Sequence, residues 1–100
     1  MKPIDTTKVA TDRGNELICL FDDGTIRSVV LKDSSDWRYD PPTEWFTYPP
    51  IPQGQPRTPE MLISLKALGF IVQCSDGTLW QWFYGYCDWY PCAENIWPTP

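Results

Sequence analysis

Two stretches of this chain alternate apolar and polar residues around the same short turn. Glu16 to Leu31 (ELICLFDDGTIRSVVL) and Gly69 to Tyr86 (GFIVQCSDGTLWQWFYGY) each place Asp-Gly-Thr between two apolar runs. Alternation with period two on both sides of Asp-Gly predicts a β-hairpin, because the turn needs positive φ, which Gly adopts without steric cost and Asp tolerates. A two-residue type I′ loop at Asp76-Gly77 sets Cys74 opposite Leu79, Val72 opposite Gln81 and Phe70 opposite Phe83. The other side then pairs Gln73 with Trp80 and Ile71 with Trp82. Overlaying the two turns places Leu17, Cys19, Phe21, Ile26, Ser28 and Val30 over Phe70, Val72, Cys74, Leu79, Gln81 and Phe83. That face is the expected core in both copies. The second face is mixed in both (Ile18, Leu20, Arg27, Val29 against Ile71, Gln73, Trp80, Trp82), so it is half-buried or an interface.

The echo continues beyond the hairpins. Trp45 lies 21 residues after Gly24 and precedes Pro49-Pro50-Ile51-Pro52, while Trp97 lies 20 residues after Gly77 and precedes Pro98. Each unit therefore reads as hairpin, polar loop, Trp-containing segment and proline stop. Before the first hairpin, Thr7 to Thr11 fits a short edge strand and Asp12-Arg13-Gly14-Asn15 a turn. Lys32 to Glu44 is polar and acidic and reads as an exposed connection. Trp45 to Tyr48 fits a short strand.

Tyr48 to Pro59 carries Pro49, Pro50, Pro52, Pro56 and Pro59, so neither a helix nor a central strand persists there. The stretch 48–59 is a stiff bridge in extended, polyproline-like conformation. Thr58-Pro59-Glu60 then has the chemistry of a helix start, with Thr as N-cap, Pro at the first helical position and an acid in the first turn. Leu62, Ile63, Leu65 and Leu68 follow at helical spacing and Gly69 suits the stop. The capping signals predict a helix over Pro59 to Leu68. The competing assignment is a strand over Met61 to Lys66, which makes the second unit four-stranded like a propeller blade. The expected architecture is thus α+β and β-rich: two Asp-Gly hairpin units (15–52 and 69–98) in a small antiparallel sheet or sandwich, with one short helix (59–68), all in a single domain.

Composition narrows the functional classes. The chain has 100 residues, one domain by size, and a formal net charge of −5, which argues against a nucleic-acid binder because such proteins carry a basic stripe. It has no histidine, which removes Ser-His-Asp and Cys-His catalysis and imidazole metal ligands. Four cysteines, Cys19, Cys74, Cys87 and Cys92, would all be needed for a zinc site, yet no two are spaced two apart. Cys19 and Cys74 read as small core residues and Cys87 and Cys92 as thiols flanking a turn. No metal, no cofactor and no disulfide are expected. Neither phosphate-loop glycine pattern occurs, and Asp88 with Glu94 has no spacing that favours an acid/base pair over solvated acids. The expectation is a protein that is not an enzyme. Met1 to Lys8 lacks an apolar leader core and no run reaches membrane-spanning length, which predicts a soluble, cytoplasmic protein without membrane contact.

The pattern FIVQCSDGTLWQW, strand, Asp-Gly-Thr, strand ending in Trp, resembles hairpins of propeller-type repeats. Together with the later Trp and Pro49-Pro50-Ile51-Pro52-Gln53, it is similar to small uncharacterised proteins encoded by bacteria and their phages. The resemblance implies a β-hairpin scaffold and no catalytic activity. Two units cannot close a propeller alone, so they would stack as a small sandwich or assemble as a homo-oligomer.

Binding is the function class that remains, with two candidate surfaces. One is the aromatic load of the second unit, Trp80, Trp82, Tyr84, Tyr86, Trp89 and Tyr90. Eight of the eighteen residues from Trp80 to Trp97 are aromatic, which marks either a core built of large residues or an interface. The other is the acidic segment with Asp33, Asp36 and Asp40, either a solvated loop or a dock for a basic surface. The expected function is a non-enzymatic protein-binding module, an inhibitor of a host protein of the anti-CRISPR kind. The alternative is a carbohydrate-binding module in which Trp80, Trp82, Trp89 or Tyr90 stack on sugar rings and Asp88, Glu94 or Gln81 bond hydroxyls.

Overall fold

The computed structural model describes residues 1–11, 14–31, 44–52, 57–65, 69–83 and 88–92. These form eight strands: β1 (Pro3–Thr11), β2 (Gly14–Phe21), β3 (Ile26–Val30), β4 (Phe46–Thr47), β5 (Pro59–Ser64), β6 (Phe70–Cys74), β7 (Leu79–Phe83) and β8 (Asp88–Pro91). They make two four-stranded antiparallel meanders, β1-β2-β3-β4 and β5-β6-β7-β8.

The expected helix is a strand. Pro59–Ser64 pairs with β6, and among the described residues there is no helix, so the fold is all-β. Thr58-Pro59-Glu60 resembles a helix cap because the same chemistry serves an edge strand. Proline lacks the N–H that a helix's first turn leaves unpaired, and an edge strand can equally do without it. The apolar positions that read as helical, Leu62 and Ile63, fall on opposite faces of a sheet that is apolar on both.

The hairpin turns are where expected, but one residue longer. Gly77 N–H donates to the Cys74 carbonyl at 3.0 Å, and Cys74 N–H donates to the Thr78 carbonyl at 2.9 Å. That is a type I turn over Ser75-Asp76 with Gly77 in the left-handed position (φ +84°), followed by a G1 bulge. The first turn is the same: Gly24 (φ +85°) donates to Phe21 at 3.0 Å, and Phe21 to Thr25 at 2.9 Å. The three-residue loop shifts the register by one, so Val72 faces Trp80 and Gln73 faces Leu79. A one-residue slip inverts the faces of a strand. Trp80 and Trp82 therefore join Phe70, Val72 and Cys74 on one side, while Gln81 lies on the other with Ile71. In the first hairpin Ile18 pairs with Ser28 and Leu20 with Ile26. Its buried core side is Ile18, Leu20, Ile26 and Ser28, and the expected core positions Leu17, Cys19 and Phe21 lie on the opposite face.

The two meanders are copies of each other in detail. Both begin with a proline opposite the turn residue, Pro3 with Phe21 and Pro59 with Cys74, and both then bulge by one residue before pairing resumes. The residue after the paired turn position links back to the first strand in both. Asp22 N–H donates to the Lys2 carbonyl (2.8 Å) while its carboxylate accepts from Lys2 N–H (3.1 Å). Ser75 N–H donates to the Thr58 carbonyl (2.8 Å) while its hydroxyl accepts from Thr58 N–H (2.9 Å). The hairpins are 53 residues apart and the first strands 56: the connection lengthens from two residues between the paired Thr11 and Gly14 to five between Ser64 and Phe70, but each paired arm of the second unit is three residues shorter.

The sheets meet face to face with one edge of each in contact. Leu62 N–H of β5 donates to Asp5 Oδ2 of β1 at 2.7 Å, and Ser64 Oγ donates to the Lys8 carbonyl at 3.0 Å. Residue numbers rise together along that edge, so β1 and β5 run parallel. One core cluster joins Val9, Ile18, Leu20 and Ile26 of the first sheet to Leu62, Phe70, Val72, Trp80, Trp82 and Trp89 of the second. The proline-rich bridge belongs to this core. Tyr48 and Ile51 are buried in it, and Tyr48 N–H donates to the Ile26 carbonyl at 2.9 Å.

Candidate functional site

The aromatic cluster is built by β7, β8 and the start of the bridge. Alternation along β7 sends Trp80 and Trp82 inward, and pairing of Trp82 with Trp89 adds the third indole beside them. Tyr48 stands edge-on to Trp82 (centroids 5.0 Å, 80°) and to Phe70 (5.4 Å, 73°), and Trp82 is edge-on to Trp89 (5.2 Å, 70°). Such pairs set the electropositive ring edge against a neighbour's electron-rich face. Trp89 Nε1 donates to the Pro49 carbonyl at 2.7 Å, and Trp80 Nε1 to Thr78 Oγ1 at 3.0 Å. The indole N–H groups of Trp80 and Trp89 thus each have an acceptor.

This packing decides between the two readings of the aromatics. Trp80, Trp82 and Trp89 are 9%, 3% and 4% exposed, so their faces are occupied by the protein itself. Of the six aromatics named from the sequence, Tyr90 is on the surface at 41%, and Tyr84 and Tyr86 lie outside the described residues. The acidic positions Asp33, Asp36 and Asp40 also lie outside them, as do Cys87, Glu94 and Trp97.

The Asp-Gly-Thr turns carry fixed carboxylates. Asp23 Oδ1 accepts from Thr25 Oγ1 at 2.7 Å and Thr25 N–H at 3.0 Å; Asp76 Oδ1 accepts from Thr78 Oγ1 at 2.5 Å and Thr78 N–H at 3.1 Å. The threonine hydroxyl, more than any other group, holds each carboxyl below the ordinary range. The second turn has an added clamp. Arg57 Nε contacts Asp76 Oδ2 at 3.0 Å, its Nη1 donates to the Pro52 carbonyl at 2.7 Å, and its guanidinium lies 5.0 Å from the Trp80 ring centroid. Both aspartates are engaged in turn geometry, which is structural work.

Three cysteines are described. Cys19 and Cys74 are buried free thiols and Cys92 is a half-buried one; burial raises the pKa of all three and keeps them as thiols. No group of three or more metal-ligating side chains occurs among the described residues. One buried acid escaped the sequence reading. Glu16, 0% exposed, accepts from Ser28 Oγ at 3.4 Å on the core side of the first sheet. The paired alternation of Glu16, Ile18 and Leu20 is the signal that would have found it. A small, mainly apolar groove of about 250 Å³ lies between the first turn (Asp23, Gly24, Thr25) and Tyr48, Pro49, Pro50 and Ile51.

The remaining surface of interest is the outer face of the second sheet. Pairing places Met61 beside Gln73 and Leu79, and Ile63 beside Ile71, Gln81 and Tyr90. Met61 and Tyr90 are each 41% exposed, and Ile63 and Ile71 are half-buried. Antiparallel sheets with one face in water usually carry polar side chains there. Among the described residues this face is mostly apolar, with Gln73, Gln81 and, at its β8 edge, Asp88 as polar members. Sequence reasoning found Tyr90 and set Ile71 on a face expected to be half-buried or an interface, but missed Met61 and Ile63, because a helix was expected in place of β5.

Among the described residues no helix is long and apolar enough to cross a membrane. No protein-family model matches the chain, and neither the curated proteins nor the solved structures searched give a match.

Proposed function

We propose that this chain is a non-enzymatic protein-binding module whose contact surface is the outer face of the second sheet. The observation that carries the reading is that face's composition: Met61 and Ile63 of β5, Ile71 of β6 and Tyr90 of β8 lie on one side of the sheet, where water-facing side chains are expected. Apolar area rimmed by polar groups is the usual mark of a protein contact. Inhibition of a host protein is the finer form of this proposal, supported by small size, acidity and the likeness to small phage-encoded proteins: the bound face covers the partner's working surface.

Sugar stacking is the weaker reading, because it needs an open ring face and three of its four candidate rings, Trp80, Trp82 and Trp89, are packed inside. Capture of partners on the immobilised full chain, identified by mass spectrometry, tests the proposal. Binding that Ile71→Asp and Tyr90→Ala both abolish is the expected result. No captured protein together with binding on a glycan array would overturn it.

A further inference from the structure

The chain contains two Asp-Gly sequences, Asp23-Gly24 and Asp76-Gly77, and no Asn-Gly. Aspartate before glycine is open to attack by its own backbone, because glycine has no Cβ to shield its amide nitrogen. That nitrogen bonds to the aspartate Cγ, the carboxyl hydroxyl leaves with the amide proton as water, and a succinimide ring forms. Water then opens the ring at one of its two carbonyls. One opening restores aspartate, and the other gives isoaspartate, whose backbone runs through Cβ and Cγ. The net change is an isomerisation, with one water lost and one regained.

The attack needs a protonated carboxyl, whose hydroxyl can leave, and a side chain able to swing onto the glycine nitrogen. Both turns oppose it. The threonine hydroxyl and N–H bond one carboxylate oxygen and favour the ionised form, and each glycine N–H is engaged, Gly24 with Phe21 and Gly77 with Cys74, at 3.0 Å. Crowding does not separate the turns, since neither glycine has an atom within 4 Å of an added Cβ.

The surroundings of the carboxylates do separate them. In the second turn Arg57 Nε donates to Asp76 Oδ2 at 3.0 Å, so both oxygens of Asp76 are held. Trp80 Nε1 donates to Thr78 Oγ1 at 3.0 Å, which leaves the hydroxyl proton for Asp76, and the same indole lies under the Arg57 guanidinium. The first turn has neither device. Met1 stands in the place of Arg57, and its sulfur, 4.0 Å from Thr25 Oγ1, competes with Asp23 for the one proton that hydroxyl can give. Arg27 stands in the place of Trp80, lies over the Phe21 ring at 5.8 Å and acts on Asp23 through space alone.

We infer that Asp23 is a modification site: in the folded chain Asp23 converts to isoaspartate, while Asp76, in the same turn with the same neighbours Gly and Thr, is held back by Arg57 and the Trp80-Thr78 pair. The product adds one methylene to the backbone of a three-residue loop. That displaces the Phe21 and Thr25 turn bond, the clip between Lys2 and Asp22, and the groove that Asp23, Gly24 and Thr25 line.

The test is incubation of the full chain at physiological temperature and mildly acidic to neutral pH, followed by digestion, chromatographic separation of the two turn peptides and electron-transfer fragmentation to assign isoaspartate. The same measurement in concentrated urea gives each site's rate without the fold, and the ratio of unfolded to folded rate is that site's protection. Protection should be roughly two- to fivefold greater at Asp76, the factor that a partly exposed ion pair supplies. Arg57→Ala should remove that excess and leave Asp23 unchanged, and Thr25→Val should lower protection at Asp23 alone. No isoaspartate at Asp23 in the folded chain, or protection at Asp23 equal to or above that at Asp76, overturns the inference. So does an Arg57→Ala chain in which both sites speed up alike, which would assign the protection to overall stability.

Discussion

The first and second sheets share their pairing, bulge and turn, and they bury opposite faces. Leu20 and Gln73 occupy equivalent places in the two hairpins, yet Leu20 is 0% exposed and lies in the core, while Gln73 is half-buried on an outer face. The reverse holds for Leu17 and Phe70: Phe70 is 0% exposed and Leu17 is half-buried outside. Backbone geometry therefore does not determine which side of a sheet becomes core. The choice is made by side-chain bulk across the gap, where small aliphatics of one copy meet the indoles of the other.

The sharpest way to break this comparison is to truncate equivalent residues. Phe70→Ala should cost about 3–5 kcal/mol and Leu20→Ala about 2–5 kcal/mol, as for other large-to-small core changes. Gln73→Ala should stay within about 0.5 kcal/mol, as for surface substitutions. Leu17→Ala should fall well short of Phe70→Ala. Urea unfolding of the four variants checks the ordering, and a Gln73→Ala loss equal to that of Leu20→Ala would mean that the sheets bury like faces.

How much of this was legible in the sequence depends on which interaction sets each feature. The repeat, both turns and their glycines were legible, because positive φ at Gly24 and Gly77 is a local demand that local residues declare. The register was not. Asp-Gly serves both a two-residue I′ loop and a type I turn with a bulge, and the threonine that follows, bonded to the aspartate, is what marks the longer form here. The core face was illegible for a different reason: both faces of both hairpins are apolar, so alternation alone has two answers. The strand at Pro59–Ser64 was masked by capping residues that edge strands also accept. Of the candidate site, Tyr90 could be read from the sequence, whereas Trp80, Trp82 and Trp89 carried the same signal for interface and core.

The turns should respond alike, in contrast to the faces. Neither Gly24 nor Gly77 has an atom within 4 Å of an added Cβ, so substitution strains only the backbone. Gly24→Ala and Gly77→Ala should each cost about 1–2 kcal/mol, the penalty of a left-handed conformation for a side-chain-bearing residue. Thermal unfolding of both variants measures it, and unequal losses would break the equivalence of the turns.

A smaller difference separates the turns' surroundings. Arg57 clamps Asp76, the Pro52 carbonyl and the Trp80 ring, whereas the corresponding neighbour of the first turn is Met1, 68% exposed, with its sulfur 4.0 Å from the Thr25 hydroxyl. Arg57→Ala should destabilise by about 1–2 kcal/mol through loss of the cation–π contact and the hydrogen bonds. Met1→Ala, by contrast, should leave the melting temperature unchanged.

The smallest effect is on the acid limb. Asp23 and Asp76 have lowered pKa values in the folded chain, chiefly through Thr25 and Thr78, so the stabilisation they give is present above the ordinary carboxylate pKa of about 3.9. It is lost as pH falls below that value and through the lowered folded pKa. Asp23→Asn and Asp76→Asn should each flatten stability against pH in that acid window and leave the neutral region parallel to wild type. A variant whose acid limb matches wild type would show that the threonine bonds do not favour the ionised form.

The packing of the Ile18 and Leu20 face of the first sheet on the Phe70 and Trp82 face of the second is tested most directly by nuclear Overhauser contacts between methyl groups and aromatic rings. The structure predicts contacts from the methyls of Ile18, Leu20 and Ile26 to the rings of Phe70, Trp82 or Trp89, all in one core. Contacts to those rings from Leu17 and Val29 in place of Ile18 and Leu20 would mean that the opposite face of the first sheet meets the second, and would contradict the account.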